Sequence, residues 1–187
     1  MKVKIKDAFI LQMGKTPARK NIEFWENGIY KWLSIGDFNN YRKYVTDTKE
    51  KISERAVTET GIKIVPENVV VMSFKLSIGK AAITTEPIYT NEAIMAFLPK
   101  PFFELLPDYL YYLVSYKDWQ KETNRAVMGS TLNKAILGEI EITIPEFAVQ
   151  KNVAKILDKI ENLIDKTKYQ LEKLDQLVKS RFYRDVW

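Results

Sequence analysis

The C-terminal part of the chain constrains its fold more than any other segment. Residues 147–182 contain neither glycine nor proline, and apolar residues recur there in alternating steps of four and three. This heptad spacing is typical of one continuous helix whose apolar seam packs against another helix. The seam residues are Val153, Leu157, Ile160, Ile164, Thr167, Leu171, Leu174 and Val178, and Ile156, Leu163 and Leu177 widen the stripe.

The predicted helix is too long to be covered by its own domain. About 36 helical residues span about 54 Å, whereas residues 1–146 suffice for only one small domain. We therefore expect a partner helix, supplied by a second copy of the chain in a homodimer. A helix folded back on its own domain is the alternative. Thr167, polar in the middle of the seam, is suited to fixing the register of a helix pair.

Residues 1–146 alternate between short strand-like and helix-like segments. Helical spacing and stop signals predict helices at 51–60, 107–124 and 132–137. The expected class is α+β, with a globular mixed-sheet domain over residues 1–146 followed by a coiled-coil helix over residues 147–187. Runs rich in β-branched residues and bounded by Gly, Pro, Asn or Asp predict strands at 3–6, 29–35, 62–65, 69–74, 80–84, 93–98 and 139–144.

The composition closes most routes to catalysis. The chain has no histidine and no cysteine, which removes the commonest metal ligand, the commonest general base and the usual nucleophile pairs. No glycine-rich nucleotide fingerprint follows a strand. We expect no catalytic residue, no metal and no cofactor on this chain. The carboxylates that lack any paired spacing are Glu54, Glu59, Glu86 and Glu92.

Charge and hydropathy bear on the partners of the chain. Lysine and arginine number 29 against 24 aspartates and glutamates, a net charge of +5, and this excess favours a polyanionic partner. No apolar run approaches the roughly 20 residues of a membrane span. The N-terminus lacks the apolar stretch of a signal peptide. We expect a cytoplasmic protein with no membrane partner.

Three loops combine cations with hydroxyl or amide side chains. Lysine and arginine hold phosphate oxygens, and asparagine and arginine pair with base edges. We expect Asn39, Asn40, Tyr41 and Arg42 to read bases, and a plain polar turn is the alternative for each loop. The candidate nucleic-acid ligands are Lys15, Thr16, Arg19 and Lys20 in the loop at 14–20, then Asn39, Asn40, Tyr41, Arg42, Lys43 and Tyr44 at 36–44, and Ser73, Lys75, Ser77 and Lys80 at 73–80.

Several short motifs follow one another along nearly the whole chain. The first are Gly14-Lys15-Thr16-Pro17 and the run from Trp25 to Asp37. Further motifs are Ile78-Gly79-Lys80, Asn91-Glu92-Ala93, Gly129-Ser130-Thr131, Ile142-Thr143-Ile144-Pro145 with Gln150, and the tail from Leu174 to Phe182. The order of these motifs resembles one known family, the specificity subunits of type I restriction-modification systems.

The resemblance implies a function in DNA recognition without catalysis. Typical specificity subunits have two target-recognition domains, each reading half of a split site on double-stranded DNA, separated by two antiparallel helices. Modification subunits bind around the helices and methylate adenine with S-adenosylmethionine, and restriction subunits add ATP-driven, magnesium-dependent cleavage. The resemblance places these cofactors on the partner subunits.

This chain departs from the family pattern because it holds one recognition domain and one helix. It corresponds either to a natural half-subunit or to half of a longer protein. Two other readings stay open. One is a structural adaptor that binds a partner through its helix without touching DNA, and the other is a stand-alone enzyme such as a nuclease.

Overall fold

The computed structural model describes residues 1–75, 77–119, 121 and 132–186, with side chains described as far as residue 181. The α-helices are α1 (Ile5–Ala8), α2 (Glu54–Thr60), α3 (Pro107–Tyr116), α4 (Lys134–Glu139) and α5 (Phe147–Val186). The strands are β1 (Lys2–Lys4), β2 (Phe9–Met13), β3 (Tyr30–Leu33), β4 (Tyr44–Val45), β5 (Glu50–Ile52), β6 (Val70–Ser73), β7 (Ala81–Thr84), β8 (Tyr89–Thr90), β9 (Ile94–Pro99) and β10 (Glu141–Thr143).

A five-stranded sheet with the order β2-β9-β6-β7-β4 forms the centre of the domain. Strand β6 is buried on both faces, and Val71 pairs with Ala82 on one side and Ala96 on the other. Successive strand residues point to opposite faces. Val70 and Met72 therefore enter a hydrophobic core shared with α3 and the start of α5, whereas Val71 enters a second core on the other face.

A smaller sheet with the order β5-β3-β8 carries a third hydrophobic cluster around Trp32 and Ile52. Helix α2 packs against this cluster through Ala56, which is fully buried. Ser53 caps the helix, because its hydroxyl accepts a hydrogen bond of 3.2 Å from the amide of Ala56. Gly61 ends the helix with a φ of 61°, a conformation that glycine adopts at little cost.

The long helix α5 begins directly after the β1–β10 strand pair. Gln150, in the first turns of α5, is fully buried. Its side-chain amide donates to the carbonyl oxygens of Glu104 and Pro145, each at 2.9 Å, and its carbonyl oxygen accepts from the amide of Leu106 at 2.8 Å. Two of these hydrogen bonds fasten the start of the helix to the segment that leads into α3, and the third, to Pro145, joins it to the residues just before the helix.

The two halves of α5 have different surroundings. Ala154 is buried, and Leu157 packs against the core that contains α3. From residue 162 to residue 181 every described side chain is exposed. Leu157 therefore faces its own domain and Val153 is half-buried, which corrects the prediction that both residues belong to the surface offered to a partner helix. None of the described helices combines the length and the apolar character needed to cross a membrane.

The structure confirms the predicted α+β class with a long C-terminal helix, and the central strands lie close to their predicted positions. The strand predicted at 139–144 is shorter, because α4 extends to Glu139 and occupies its start. The helix predicted at 51–60 begins at Glu54, since residues 50–52 pair with β3 instead. The predicted strand at 62–65 is reduced to one bridge between Val65 and Ile88.

The helix predicted at 107–124 corresponds to α3, which ends at Tyr116 where Lys117 becomes extended. Residues 120 and 122–131 lie outside the described residues, and so do Gly129, Ser130 and Thr131 of the family motif. The helix predicted at 132–137 is α4, capped by the Asn133 side chain. Strand β2, which was not predicted, forms an edge of the central sheet by pairing with β9.

Replacing Gln150 should destabilise the protein strongly. Gln150→Leu removes the hydrogen-bond partner of partly buried backbone groups of Glu104, Leu106 and Pro145, and we expect a loss of about 2–4 kcal/mol in the free energy of unfolding. Urea denaturation followed by circular dichroism measures the change. Gln176→Leu, at an exposed position of the same helix, is the matched control and should change stability by less than about 0.5 kcal/mol. Equal effects of the two substitutions would contradict the assigned role.

Candidate nucleic-acid interface

The loop at 14–20 is fixed at its base against strand β8. A Cβ atom on Gly14 would lie 2.1 Å from the carbonyl oxygen of Thr90, so only glycine fits this close approach. The amide of Gly14 donates to the carbonyl oxygen of Ile94 at 3.2 Å, and the amide of Lys15 donates to that of Thr90 at 2.8 Å. The side chains that follow therefore project from a defined position.

Two tryptophans and a carboxylate hold Arg19 in place at the surface. Its guanidinium carbon lies 3.8 Å from the ring centre of Trp25 and 4.9 Å from that of Trp32. Glu50 on β5 accepts hydrogen bonds from both terminal nitrogens of the guanidinium, and these hydrogen bonds raise the pKa of Arg19. About half of the side chain, 51%, stays exposed. Arg19 is therefore oriented and still accessible to a ligand.

The other candidates in this loop divide into two groups. The ammonium of Lys15 donates to the carbonyl oxygen of Thr60 at 2.5 Å, and the hydroxyl of Thr16 donates to the carboxylate of Glu92. Both side chains therefore have partners within the protein. Lys20 lies in an exposed turn and, like Arg19, remains accessible.

A buried aspartate shapes the start of the loop at 36–44. The carboxylate of Asp37 accepts hydrogen bonds from the amide and the hydroxyl of Ser34, at 2.8 and 2.6 Å, and from the amide of Lys49 at 3.0 Å. These bonds hold a short 3₁₀ helix at Ile35–Asn39. Phe38 anchors the same turn in the second hydrophobic core. The polar residues that follow thus extend from an ordered base.

Asn39 brings the second and third loops together. The ammonium of Lys80 donates to the side-chain oxygen of Asn39 at 2.6 Å. Positive φ angles of 51° at Ser77 and 91° at Gly79 form the tip of the β6–β7 hairpin, and an added Cβ at Gly79 would lie 2.9 Å from the ring of Trp119. The loops at 36–44 and 73–80 therefore form one surface.

The remaining candidates of these two loops differ in accessibility. Asn40, Lys75 and Ser77 are exposed. Tyr41 is half-buried against the second core, and burial together with the charge of Asp37 raises the pKa of its phenol. Ser73 is fully buried within β6, so the prediction that it contacts a nucleic acid is wrong.

Arg42 and Lys43 turn towards helix α5, and Lys43 is buried whereas the Arg42 side chain stays 41% exposed. The Lys43 ammonium lies 2.5 Å from a carboxylate oxygen of Asp108 on α3 and 2.7 Å from one of Asp158 on α5. Its side chain is only 8% exposed. The guanidinium of Arg42 donates to Glu161 at 3.1 Å and forms an ion pair of 2.7 Å with Asp165. Both cations are therefore neutralised by carboxylates of the chain itself.

Three tyrosines complete this polar cluster. The hydroxyl of Tyr44 donates to Asp108 at 2.7 Å, and that of Tyr112 donates to Asp158 at 2.6 Å. The hydroxyl of Tyr116 donates to Glu161 at 3.0 Å. Burial and the hydrogen bond to Asp158 raise the pKa of Tyr112. Burial opposes ionisation of Asp158, but the hydrogen bonds from Lys43 and Tyr112 outweigh it, and the pKa of Asp158 falls below its usual value.

This geometry argues against two of the predicted nucleic-acid contacts. We expected Arg42 to read a base and Lys43 to bind phosphate, but either contact would first have to break ion pairs with α5. Tyr44 is likewise engaged with Asp108. The sequence contained a signal for this arrangement that the loop compositions alone did not reveal. Aspartate or glutamate recurs along one face of the helix at steps of three and four, at Asp158, Glu161 and Asp165.

The tryptophans beside Arg19 were also missed, because their function depends on strand pairing. Trp25 and Trp32 meet edge to face with ring centres 5.0 Å apart, and the indole of Trp32 donates to the carbonyl oxygen of Lys15 at 3.1 Å.

Within the described parts of the chain, no three carboxylates come together in an arrangement that would hold a metal ion. The accessible polar residues of the three loops are Arg19, Lys20, Asn39, Asn40, Lys75, Ser77 and Lys80.

Comparison with known proteins identifies relatives over most of the chain. The family model described as "Type I restriction modification DNA specificity domain" matches residues 1–176. The MjaIX specificity subunit of Methanocaldococcus jannaschii is 31% identical over 183 residues, covering 96% of this chain and 42% of that protein. The EcoR124I/EcoR124II specificity subunit of Escherichia coli is 27% identical and covers 92% of this chain and 44% of its own length. The chain thus spans less than half the length of these relatives.

Solved structures show the same fold at lower sequence identity. The HsdS subunit from Thermoanaerobacter tengcongensis aligns with a TM-score of 0.61 at 17% identity, over 88% of this chain and 38% of that one. The S subunit from M. genitalium aligns with a TM-score of 0.59 at 17% identity, over 95% of this chain and 43% of that one. With the family model matched from Met1 to Gln176, this chain belongs to the type I restriction-modification DNA specificity domain family.

Proposed function

We propose that this chain reads one half of a split DNA site for a type I restriction-modification system. The observation that carries the proposal is the family match over residues 1–176. The match spans both the three-loop domain and most of the helix that extends from it. The chain supplies recognition only, and the proposal assigns it neither a catalytic residue nor a bound cofactor. Modification subunits methylate the DNA and a restriction subunit cleaves it, and all of these act in the cytoplasm.

The accessible residues of the three loops form the proposed DNA face. Lys20, Lys75 and Lys80 have flexible ammonium groups suited to phosphate oxygens. Arg19 is suited to a base edge, because the stacked tryptophans and Glu50 fix the plane of its guanidinium and a fixed plane favours bidentate contacts. Asn39 and Asn40 lie beside Lys80 on the neighbouring loop and complete the reading surface.

The exposed part of the seam is the proposed dimer interface. Ile160, Ile164, Leu171, Leu174 and Val178 are 45–67% exposed, an arrangement that is unfavourable in water over so long a stripe. A second copy of the chain supplies a matching stripe. The helix pair then joins two identical readers, which suits a symmetric, interrupted DNA site.

The flanks of the seam favour an antiparallel pair. Ile156, Leu163 and Leu177 occupy one flank, whereas Glu161 and Lys168 occupy the other. In a parallel dimer the apolar flank of one helix would face the charged flank of its partner. In an antiparallel dimer the apolar flank of one helix faces the apolar flank of the other, so the apolar residues cover one another.

One antiparallel register uses the exposed seam completely. Ile160 faces Val178 of the second copy, Ile164 faces Leu174, and Thr167 faces Leu171. A deeper overlap would require the second helix to pass Leu157, which already packs on its own domain. The two-fold axis then crosses the helices near Tyr169.

Removal of one accessible lysine should weaken binding to all DNA sequences alike. For Lys20→Ala we expect the slope of log affinity against log salt to decrease by about 1, because one phosphate contact is lost. Mobility shifts over a salt series measure this slope on duplexes selected from a random pool. Lys173→Ala, on the exposed distal part of α5, should leave the slope unchanged. A protein with no steep salt dependence at all would be an adaptor and not a DNA reader.

Charges in the exposed seam should separate the dimer. Ile164→Asp with Leu174→Asp places carboxylates within the apolar interface, and we expect a monomer at micromolar concentration by sedimentation equilibrium. Tyr169→Asp is the control, because Tyr169 is equally exposed on the same helix but lies on the face away from the seam. A monomeric unmodified protein, or dissociation caused by Tyr169→Asp alone, would refute the assigned interface.

Cysteine cross-linking should reveal the direction and register of the helices, since the chain has no native cysteine. A mixture of Ile160→Cys and Val178→Cys proteins should form a disulfide-linked heterodimer under mild oxidation. Val178→Cys alone should not cross-link, because about 27 Å separates the two copies of this residue in the antiparallel pair. Self-cross-linking of Val178→Cys would indicate parallel helices. Preferred linkage of Val178→Cys to Thr167→Cys, instead of to Ile160→Cys, would indicate a register displaced by one heptad.

A further inference from the structure

Besides the apolar packing of Ala154 and Leu157, polar contacts attach helix α5 to the recognition domain at two separate places. The first is Gln150, whose three hydrogen bonds fix the start of the helix. The second is the polar cluster formed by Arg42 and Lys43 with the carboxylates of α5, hereafter the latch. It comprises Arg42, Lys43, Asp108, Tyr112, Asp158, Glu161 and Asp165. Two points separated along an axis determine its direction, which one point alone does not.

Lys43 is the centre of the latch. Its ammonium bridges carboxylates of two different helices, Asp108 on α3 and Asp158 on α5. The faces of Tyr111 and Tyr112 lie 5.7 and 4.8 Å from it. A charge this deeply buried is stable only where its partners are placed correctly. A rotation of α5 away from α3 would separate Asp158 from Lys43 and leave this buried ammonium with incomplete pairing.

Arg42 extends the latch by about one helical turn. Its guanidinium contacts Glu161, Asn162 and Asp165, and its own carbonyl oxygen accepts a hydrogen bond of 2.6 Å from Tyr111. The loop, α3 and α5 are therefore tied to one another. From residue 166 to residue 181 the described side chains of α5 are exposed, so among the described residues the latch is the last attachment of α5 to the domain, and it lies beside the first residues of the proposed dimer interface.

The same short segment also belongs to the proposed DNA face. Asn39, which contacts Lys80 of the third loop, lies only three residues before Arg42. The backbone of Lys43 continues into the central sheet, where its carbonyl oxygen accepts from the amide of Ile83 at 2.7 Å. Reading loops and helix thus share one connecting segment with little freedom between them.

We propose that the latch sets the angle between α5 and the recognition domain, and thereby the length of the gap between the two DNA half-sites. This inference rests on the proposed function. A tilt of α5 on the domain displaces the reading loops relative to the helix, and a displacement of about 3.4 Å equals the rise of one base pair. Small changes at the latch are therefore expected to alter the preferred gap by whole base pairs. Arg42 and Lys43 are positioning residues in this role.

The helix angle is testable without DNA. Glu67→Cys in the domain and Gln176→Cys on α5, both exposed, accept spin labels in a protein that otherwise lacks cysteine. Labelled chains are mixed with excess unlabelled chains, so that only distances within one chain contribute. We expect a narrow distance distribution, which Arg42→Met with Lys43→Met shifts or broadens by about 4 Å or more. Unchanged distances would overturn the proposal.

Two further variants separate positioning from a general loss of stability. Arg55→Met is the matched control, because Arg55 also forms two ion pairs, with Glu23 and Glu59, and these lie outside α5. It should leave the distances unchanged. Glu161→Gln with Asp165→Asn keeps Lys43 paired with Asp108 and Asp158 and removes the two charged partners of Arg42, whose contact with Asn162 remains. This milder variant replaces the double methionine variant in the distance measurement if that protein does not fold. A distance distribution like that of the unmodified protein would then contradict the role of the latch.

The gap itself is measured by selection from duplexes that vary both in half-site sequence and in gap length. Latch variants should select the same half-sites with gaps changed by at least one base pair, whereas a destabilised reader would lose affinity at every gap alike. A shifted distance with an unchanged gap would overturn the link to DNA spacing. If the unmodified protein selects no duplex, the proposed function fails, and the distance measurement still decides whether the latch sets the helix angle.

Discussion

The burial of one ammonium group, that of Lys43, governs how the long helix meets the domain. Removing such a charge from water costs several kcal/mol, and the carboxylates of Asp108 and Asp158 offset this cost only at the short distances observed, 2.5 and 2.7 Å. Apolar contacts such as that of Leu157 tolerate sliding because they have little directionality. The ion pairs do not, so they specify the position of the helix more than they strengthen its attachment.

Local patterns predicted the elements whose cause is local. The heptad spacing of residues 147–182 gave the long helix, and alternation or β-branched runs gave the central strands. Strand β2 and strand β5 were missed, because each exists through pairing with a distant strand, β9 and β3 respectively. The apolar run in β2 does not alternate with polar residues. The residues of β5 directly precede helix α2 and are similarly polar. Neither segment identifies its partner from its own residues.

The candidate site shows the same division in its side chains. Composition correctly indicated accessible polar loops at Arg19, Lys20 and Lys75, but it did not distinguish cations facing solvent from those facing the chain's own carboxylates. One carboxylate partner of Lys43, Asp158, lies 115 positions away on α5. Arg19 illustrates the opposite case, since its exposure was expected while the tryptophans that orient it were not. Whether a basic residue is free depends on tertiary contacts that a loop sequence does not contain.

The heptad stripe of α5 serves two surfaces in succession. Leu157 lies against the recognition domain and Val153 before it is half-buried, and the same period then continues through exposed residues from Ile160 to Val178. In the proposed dimer, a partner helix that enters along the stripe stops where the domain begins, because the seam beyond that point is already covered. The domain would therefore limit how far two such helices overlap, and the proposed latch beside this boundary would limit the angle at which they leave it. Overlap and angle together would then determine the separation of the two proposed reading surfaces, so a change in either one would be sufficient to alter it.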